Sequence, residues 1–258
     1  MFLKLLQGVF IGVALILPGL SAGTVILILG FYRKFLDDLA SLRLKPYLPM
    51  LAGAAAGALA GVYAISYLLE RYNTLIMAFL LGMLLASVPM VINYRRECQL
   101  IQPWPLALGA AGFIVTWFII CEPASTFTVL PPGGLFHFFL GGTLASAAML
   151  LPGVSGSSVL LIMNLYDDAI YAISHWQWIK LAFLSAGFIV GLFGLARLLS
   201  ALYRRYQTAI SFLLAGLILG STRAILPIRF NFIIVLTALC GAVLVLYITR
   251  KRLYFNAD

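Results

Sequence analysis

Long apolar runs separated by short polar segments dominate the chain. Six of these runs are uninterrupted, and each has about the length that a helix needs to cross a bilayer core of ~30 Å. They cover residues 47–69, 74–92 and 105–121, then 178–203, 207–226 and 230–249. The pattern predicts an all-α polytopic membrane protein.

Two further apolar runs, residues 5–30 and 139–164, are interrupted by polar, glycine-rich octets. The first octet reads LPGLSAGT and the second reads LPGVSGSS. Proline removes a backbone donor and glycine permits a sharp turn, so each run is predicted to be a broken helix. The helix-breaking residues are Pro18, Gly19, Pro152 and Gly153.

The chain repeats itself at an offset of 134 positions, which is the distance from Pro18 to Pro152. At this offset glycine, tyrosine and arginine recur without gaps, as in the pairs Gly53 with Gly187 and Arg71 with Arg205. Such matches are far less frequent by chance than matches of leucine. We therefore predict two homologous halves, 1–125 and 135–258, joined by a loop rich in proline and glycine.

Positive charge discriminates between two paths for the interrupted runs. If they crossed the membrane, the 17 Lys and Arg residues would divide almost evenly between its sides. If each run turns back instead, thirteen of the 17 fall on one side and four on the other: Arg71, Lys180, Arg223 and Arg229. The uneven distribution fits the positive-inside rule, so we predict re-entrant hairpins and cytoplasmic termini.

A re-entrant hairpin leaves three crossings in each half, and an odd number turns the second half upside down. Inverted repeats of this kind are the plan of many secondary transporters. A hairpin arm of 11 or 12 residues is roughly 17 Å long at the helical rise, so it reaches the membrane midplane and ends there. We expect the two turns to enter from opposite faces.

Composition agrees with a bilayer as the solvent and excludes other classes. The chain is 63% hydrophobic and 10% charged, with a mean hydropathy of +1.07. The net charge of +9 is spread over the short segments between apolar runs, which indicates topology rather than nucleic-acid binding. The three cysteines have no metal-ligand spacing, so neither a metal nor a cofactor is expected. The first 23 residues resemble a signal peptide, but their pattern returns near residue 152, so we interpret them as part of the fold.

Hydroxyls beside unwound backbone make each octet a candidate anion site. Ser21 and Thr24 in the first octet, and Ser155, Ser157 and Ser158 in the second, adjoin backbone where a helix is predicted to begin. Free N–H groups and hydroxyls at such a point suit a phosphate. The alternative, that serine and glycine only allow close helix packing, stays open.

Few charged residues lie near the predicted membrane interior. Arg223 and Arg197 could pair with a phosphate or could extend to the headgroups. Asp167 and Asp168 lie at the mouth of the second hairpin, as a solvated rim or as coupling carboxylates. The motif HExxH is absent, and no pair of carboxylates at helical spacing occurs within an apolar run, so the chain is predicted not to be an enzyme.

These motifs resemble a bacterial family once called domain of unknown function 368, which is associated with polyprenyl phosphate transport. LPGLSAGT with LGFY, LPGVSGSS with NLY, FLLGMLLASVP and LLAGLILGSTRAILP carry the resemblance, which covers essentially the whole chain. It implies return of undecaprenyl phosphate from the outer to the inner leaflet of the bacterial cytoplasmic membrane. The implied partners are that lipid and the membrane lipids, with a homodimer as one possible assembly. By motif the phosphate-facing positions are Ser21, Gly23, Thr24, Ser155, Gly156, Ser157, Ser158, Gly220, Ser221 and Arg223.

Departures from the family pattern leave alternatives open. Asn164 stands where a glycine is expected, and Arg33 stands where an acidic residue is expected. Undecaprenyl pyrophosphate phosphatases are built similarly, but Gly156 occupies the position of their arginine, and their glutamate pair is missing here. Without those groups hydrolysis is disfavoured. A small-anion transporter or channel using the same helix ends remains a third hypothesis.

Overall fold

The computed structural model describes residues 2–17, 20–92, 103–120, 134–227 and 231–255. All regular structure in these ranges is helical, which confirms the predicted all-α class. The α-helices are α1 (Phe2–Ile16), α2 (Ala22–Ile28), α3 (Tyr32–Ala40), α4 (Leu48–Ile92), α5 (Pro103–Ile114), α6 (Leu135–Leu150), α7 (Gly156–Ile162), α8 (Tyr166–Ser174), α9 (Trp178–Arg205), α10 (Gln207–Ser221) and α11 (Phe232–Phe255). Pro18, Gly19 and most of the predicted joint between the halves lie outside the described residues.

Four helical segments of the described chain are long and apolar enough to cross a membrane: 45–92, 178–205, 207–225 and 232–250. The predicted runs 47–69 and 74–92 correspond to the two parts of α4, which are separated by non-helical backbone at Tyr72. The predicted run 105–121 becomes α5 followed by a π-helical segment, Val115–Ile120. A chain of apolar residues does not reveal such a change of helical pitch.

Two short helices, α3 and α8, follow the interrupted runs and were not predicted from the sequence. Each has nine residues, and α3 has a polar face with Arg33, Lys34, Asp37 and Asp38. A helix this short and this polar is marginal in isolation, so its stability comes from packing.

Backbone geometry recurs at the same offset of 134 positions; we call residues 134 positions apart matched residues. Gly30 and its match Asn164 both have positive φ, at 67° and 53°. Leu42 and Trp176, also matched, have φ of 57° and 51°. Asparagine tolerates this left-handed region better than most residues, which explains why it can stand where a glycine was expected.

Glycines bring the long helices into close contact. A Cβ on Gly8 would overlap the Met50 carbonyl oxygen of α4, and a Cβ on the matched Gly142 would overlap the Leu184 carbonyl oxygen of α9. The α1–α4 and α6–α9 pairs therefore pack backbone to backbone, the usual way for helices to associate in lipid.

The two halves of the chain interleave rather than form separate units. Helix α5 packs along α10, and α11 packs along the part of α4 that follows Tyr72. The largest apolar core joins α2, α3 and α4 to α9 and α10.

Candidate functional site

The two interrupted runs meet at their turns. The backbone N–H of Gly153, in the second turn, donates to the Ser21 hydroxyl at 3.1 Å and to the Thr24 hydroxyl at 3.0 Å. Ser21 also lies 3.4 Å from the Leu151 carbonyl oxygen, to which it can donate. Residues remote in sequence, from two predicted anion sites, thus form one junction.

Local chemistry explains the first side of this junction. Ser21 caps α2, because its hydroxyl accepts the Thr24 N–H at 3.2 Å, and the two hydroxyls lie 3.0 Å apart. Both side chains are buried. Gly23 leaves space for the other chain, since a Cβ there would lie 2.8 Å from the Leu150 carbonyl oxygen.

Glycine is required on the second side. Gly153 has a φ of +83°, and a Cβ there would lie 2.7 Å from the Leu217 carbonyl oxygen and 3.0 Å from the Ser221 hydroxyl. Ser221 itself is buried and donates to the Ile218 carbonyl oxygen at 2.8 Å. The structure therefore brings together Ser21, Thr24, Gly153 and Ser221, all of which the sequence had singled out.

The serines after the second turn are differently placed. Ser155 and Ser157 are exposed, with their hydroxyls 2.6 Å apart, and Ser158 is half-buried. Gly156 is buried and lies close to α6, where a Cβ on it would be 2.8 Å from the Ala145 carbonyl oxygen. The junction thus has a buried set of hydroxyls in the first octet and an accessible set in the second.

The side chain of Arg223 packs against the π-helical segment Val115–Ile120. Its guanidinium donates to the Trp117 carbonyl oxygen at 2.5 Å and lies 5.7 Å from the centre of the Trp117 ring. Trp117 could not be identified from the sequence, because a lone tryptophan in an apolar run suggests only an interfacial anchor. Arg223 follows two residues after Ser221, which contacts the junction.

The predicted rim residues lie on two different helices. Asp167 and Asp168 lie in the first turn of α8. Arg197 lies on α9, where its Nε donates to the carbonyl oxygen of Ala40 at 3.2 Å, at the end of α3. That contact places a cation at a helix C-terminus, where the helix dipole favours it.

A polar cluster that sequence reasoning missed joins α3 to α9. The Asp37 carboxylate accepts the Ser200 hydroxyl at 2.5 Å and the Arg204 guanidinium at 3.2 Å. Burial raises the pKa of Asp37, but the bonds from Ser200 and Arg204 and the charges of Arg204 and Arg33 outweigh it and hold this pKa below its usual range. The helical spacing of Tyr32, Leu36 and Leu39 was the available signal for α3.

The chemistry available at the junction is binding. Hydroxyls and a backbone N–H can hold an anion. In the part of the chain that the structure describes, no cluster of three His, Cys, Asp or Glu side chains could hold a metal ion.

Comparison with known proteins gives a consistent result. Residues 1–105 and 62–239 match the family described as undecaprenyl phosphate translocase-like. A polyprenyl-phosphate transporter of Vibrio cholerae is 30% identical over 250 residues, which cover 86% of this chain and 76% of that protein. A polyprenyl-phosphate transporter of Staphylococcus aureus is 26% identical over 248 residues, 88% of this chain and 86% of that protein. No solved structure matches.

Proposed function

Because this chain belongs to the undecaprenyl phosphate translocase-like family, we propose that it transports a polyprenyl phosphate across the membrane in which it lies. The names of the family and of both relatives are those of transporters, which excludes the phosphatase-like alternative at the level of the family. We further propose that the substrate is undecaprenyl phosphate, moved from the outer to the inner leaflet of the bacterial cytoplasmic membrane and thereby returned to envelope polymer synthesis.

The observation that carries this proposal is the junction of the two turns. Its hydroxyls and the Gly153 N–H are the neutral hydrogen-bonding groups that suit a phosphate headgroup. Ser155 and Ser157 follow the second turn and are exposed, so we propose that an incoming headgroup contacts them first. Arg223, close to Ser221, is the proposed cationic partner.

Two contacts support the re-entrant path of the interrupted runs. Lys4, before the first run, donates to the Pro46 carbonyl oxygen at 3.0 Å, although the whole run lies between these residues. His137, at the start of α6, donates through Nε2 to the Met163 carbonyl oxygen at 3.0 Å, after the second turn. A run that crossed the membrane would separate the members of each pair by about 30 Å.

The length of α4 supports a reversal of direction at Tyr72. Its 45 residues would extend over about 68 Å as a straight helix, more than twice the thickness of the bilayer core. Tyr72 has φ −131° and ψ 31°, and the matched Tyr206, between α9 and α10, has φ −130° and ψ 50°. We therefore propose three crossings in each half and an inverted repeat, with both termini in the cytoplasm.

In the proposed mechanism the prenyl tail remains in lipid while the headgroup moves through the protein. The headgroup binds at the junction, and a rearrangement of the two halves exposes it to one side and then to the other. The junction is at the contact between halves, so movement there changes access from both sides.

The test uses purified protein in vesicles that contain a fluorescent short-chain polyprenyl phosphate. A phosphatase added outside removes phosphate from outer-leaflet lipid only, so transport is measured as loss or gain of protected lipid. We expect Ser157→Ala and Arg223→Ala to slow transport about tenfold each, the effect of losing one charge-assisted hydrogen bond. Ser174→Ala is the control, because Ser174 is exposed and far in sequence from both turns. Its hydroxyl bonds to the Ile170 and Tyr171 carbonyl oxygens and to the His175 ring.

Three results would overturn the proposal. These are an unchanged protected fraction with folded protein, release of inorganic phosphate from undecaprenyl pyrophosphate by the protein alone, and flux of sulfate or chloride with no movement of lipid. The first opposes transport of this lipid, the second favours an enzyme and the third favours an anion transporter.

A further inference from the structure

Matched elements of the two halves differ sharply in burial. Six of the seven residues of α2 are buried, from Gly23 to Ile28. In α7, which occupies the matched positions, Gly156 alone is buried. Because α2 and α7 share the same local sequence pattern, the difference in burial comes from the elements that pack against each helix.

The covered half has α3 docked on the other half of the chain. Helix α3 packs against the C-terminal part of α9, with Asp37 bonded to Ser200 and Arg204. Leu36 is 1% exposed and Leu39 is 4% exposed, and Ala196 of α9 is 0% exposed. The contact covers the apolar face of α3 and the facing part of α9.

The matched surfaces in the other half are uncovered. Ile170 and Ile173, which match Leu36 and Leu39, are 49% and 58% exposed. Val62 of α4, which matches Ala196, is 46% exposed. Helix α8 lies instead on the start of its own neighbour, α9.

We propose that the protein has a second conformation in which α8 docks on the part of α4 before Tyr72 while α3 leaves α9. The proposal rests on the alternating access proposed above and names the segment that closes each mouth. Ile170 and Ile173 would then cover Val62 and its neighbours, as Leu36 and Leu39 cover Ala196 in the present structure.

Polar groups on the two uncovered faces are complementary, with donor and acceptor exchanged. In the docked half the carboxylate is on the short helix, at Asp37, and the donors are on the long helix, at Ser200 and Arg204. In the other half the short helix carries the hydroxyl of Tyr171, and the long helix carries Ser66 and Glu70 at the matched positions. Tyr171 can donate to the Glu70 carboxylate, so the second mouth closes with its own hydrogen bond.

Cysteine pairs at matched positions test this inference in the intact protein. In a chain whose own cysteines are replaced, Asp37→Cys with Ser200→Cys should cross-link rapidly with a short thiol reagent. Ser66→Cys with Tyr171→Cys should cross-link more slowly, and about tenfold faster when Asp37→Ala weakens the docking of α3. Ser66→Cys with Trp176→Cys is the control pair. Leu42, the match of Trp176, stays exposed when α3 is docked, so Trp176 is not expected to approach Ser66 when α8 docks.

The outcomes separate this inference from the proposed function. If the 66–171 pair never cross-links above the Trp176 control while the vesicles still transport lipid, α8 does not close on α4, and its exposed face contacts lipid. If both links form together in one molecule, the two mouths do not alternate. If both links form in alternation but no lipid moves, the gating stands and the proposed substrate is wrong. An unchanged thermal unfolding transition in detergent shows that each variant is folded.

Discussion

At the scale of single residues, the most constrained position is Gly153. It combines a positive φ, a donated N–H and close approach to α10. The positive φ and the close approach each exclude a side chain for a separate reason, and the donated N–H excludes proline, so the residue cannot be replaced by adjusting one neighbour.

We therefore expect Gly153→Ala to lower the free energy of unfolding by about 2 kcal/mol or more, from left-handed strain plus overlap with the Leu217 carbonyl oxygen. Gly194→Ala is the control, since a Cβ on Gly194 would meet nothing within 4 Å. In the middle of α9 this control should stabilise the helix by about 0.5–1 kcal/mol. Thermal unfolding in detergent measures both, and equal shifts would contradict the role given to Gly153.

Asn164 makes a second prediction at this scale. With φ at 53°, Asn164→Gly should leave stability within about 0.5 kcal/mol, whereas Asn164→Val should cost about 1–2 kcal/mol because a β-branched residue resists this conformation. The same thermal measurement distinguishes them. A tolerated valine would mean that the left-handed turn before α8 is not maintained.

At the scale of elements, the sequence predicted the interrupted helices and the long apolar helices but missed α3 and α8. The proline–glycine octets give a strong local signal, whereas α3 is stabilised mainly by contacts with residues over 150 positions away, such as Arg197 and Arg204. The difference in burial between α2 and α7 was also unpredictable, since matched sequences carry no information on which mouth is closed. The two predicted runs 47–69 and 74–92 correspond to the two parts of α4, which are separated by non-helical backbone at Tyr72.

The docking of α3 on α9 depends on the charge of Asp37. Because the docked pKa is lowered, ionisation favours docking above the ordinary aspartate pKa, and the contribution is lost as the pH falls through the lower, docked value. Docking should be constant from pH 8 to 5 and weaken below about pH 4. Carbon-13 NMR of the aspartate carboxyls, assigned with Asp37→Asn, measures this pKa, and Arg204→Ala should raise it. An Asp37 pKa at or above the ordinary value would contradict the contact.

At the scale of the whole molecule, the proposed inverted repeat fixes the sidedness of matched positions. Leu42 and Trp176 are exposed, have the same left-handed backbone and follow α3 and α8 respectively. Runs that cross the membrane would put both on one side, whereas re-entrant runs put them on opposite sides.

Single cysteines at these positions test the topology in intact cells. In a chain without other cysteines, a membrane-impermeant maleimide should label Trp176→Cys from outside and should label Leu42→Cys after the cells are permeabilised. Labelling of both from the same side would contradict the inverted arrangement, independently of any transport measurement.

The Gly153 N–H has a consequence for how the empty protein and the loaded protein differ. Two hydroxyls already share this single donor. A phosphate oxygen is a stronger acceptor than a hydroxyl because it is charged. A headgroup that captured the N–H would free the Ser21 and Thr24 hydroxyls from Gly153, and both could then donate to its remaining oxygens. If the headgroup binds here as proposed, these hydroxyls hold its place in the unloaded protein, and exchanging them for the headgroup would loosen one half of the chain from the other.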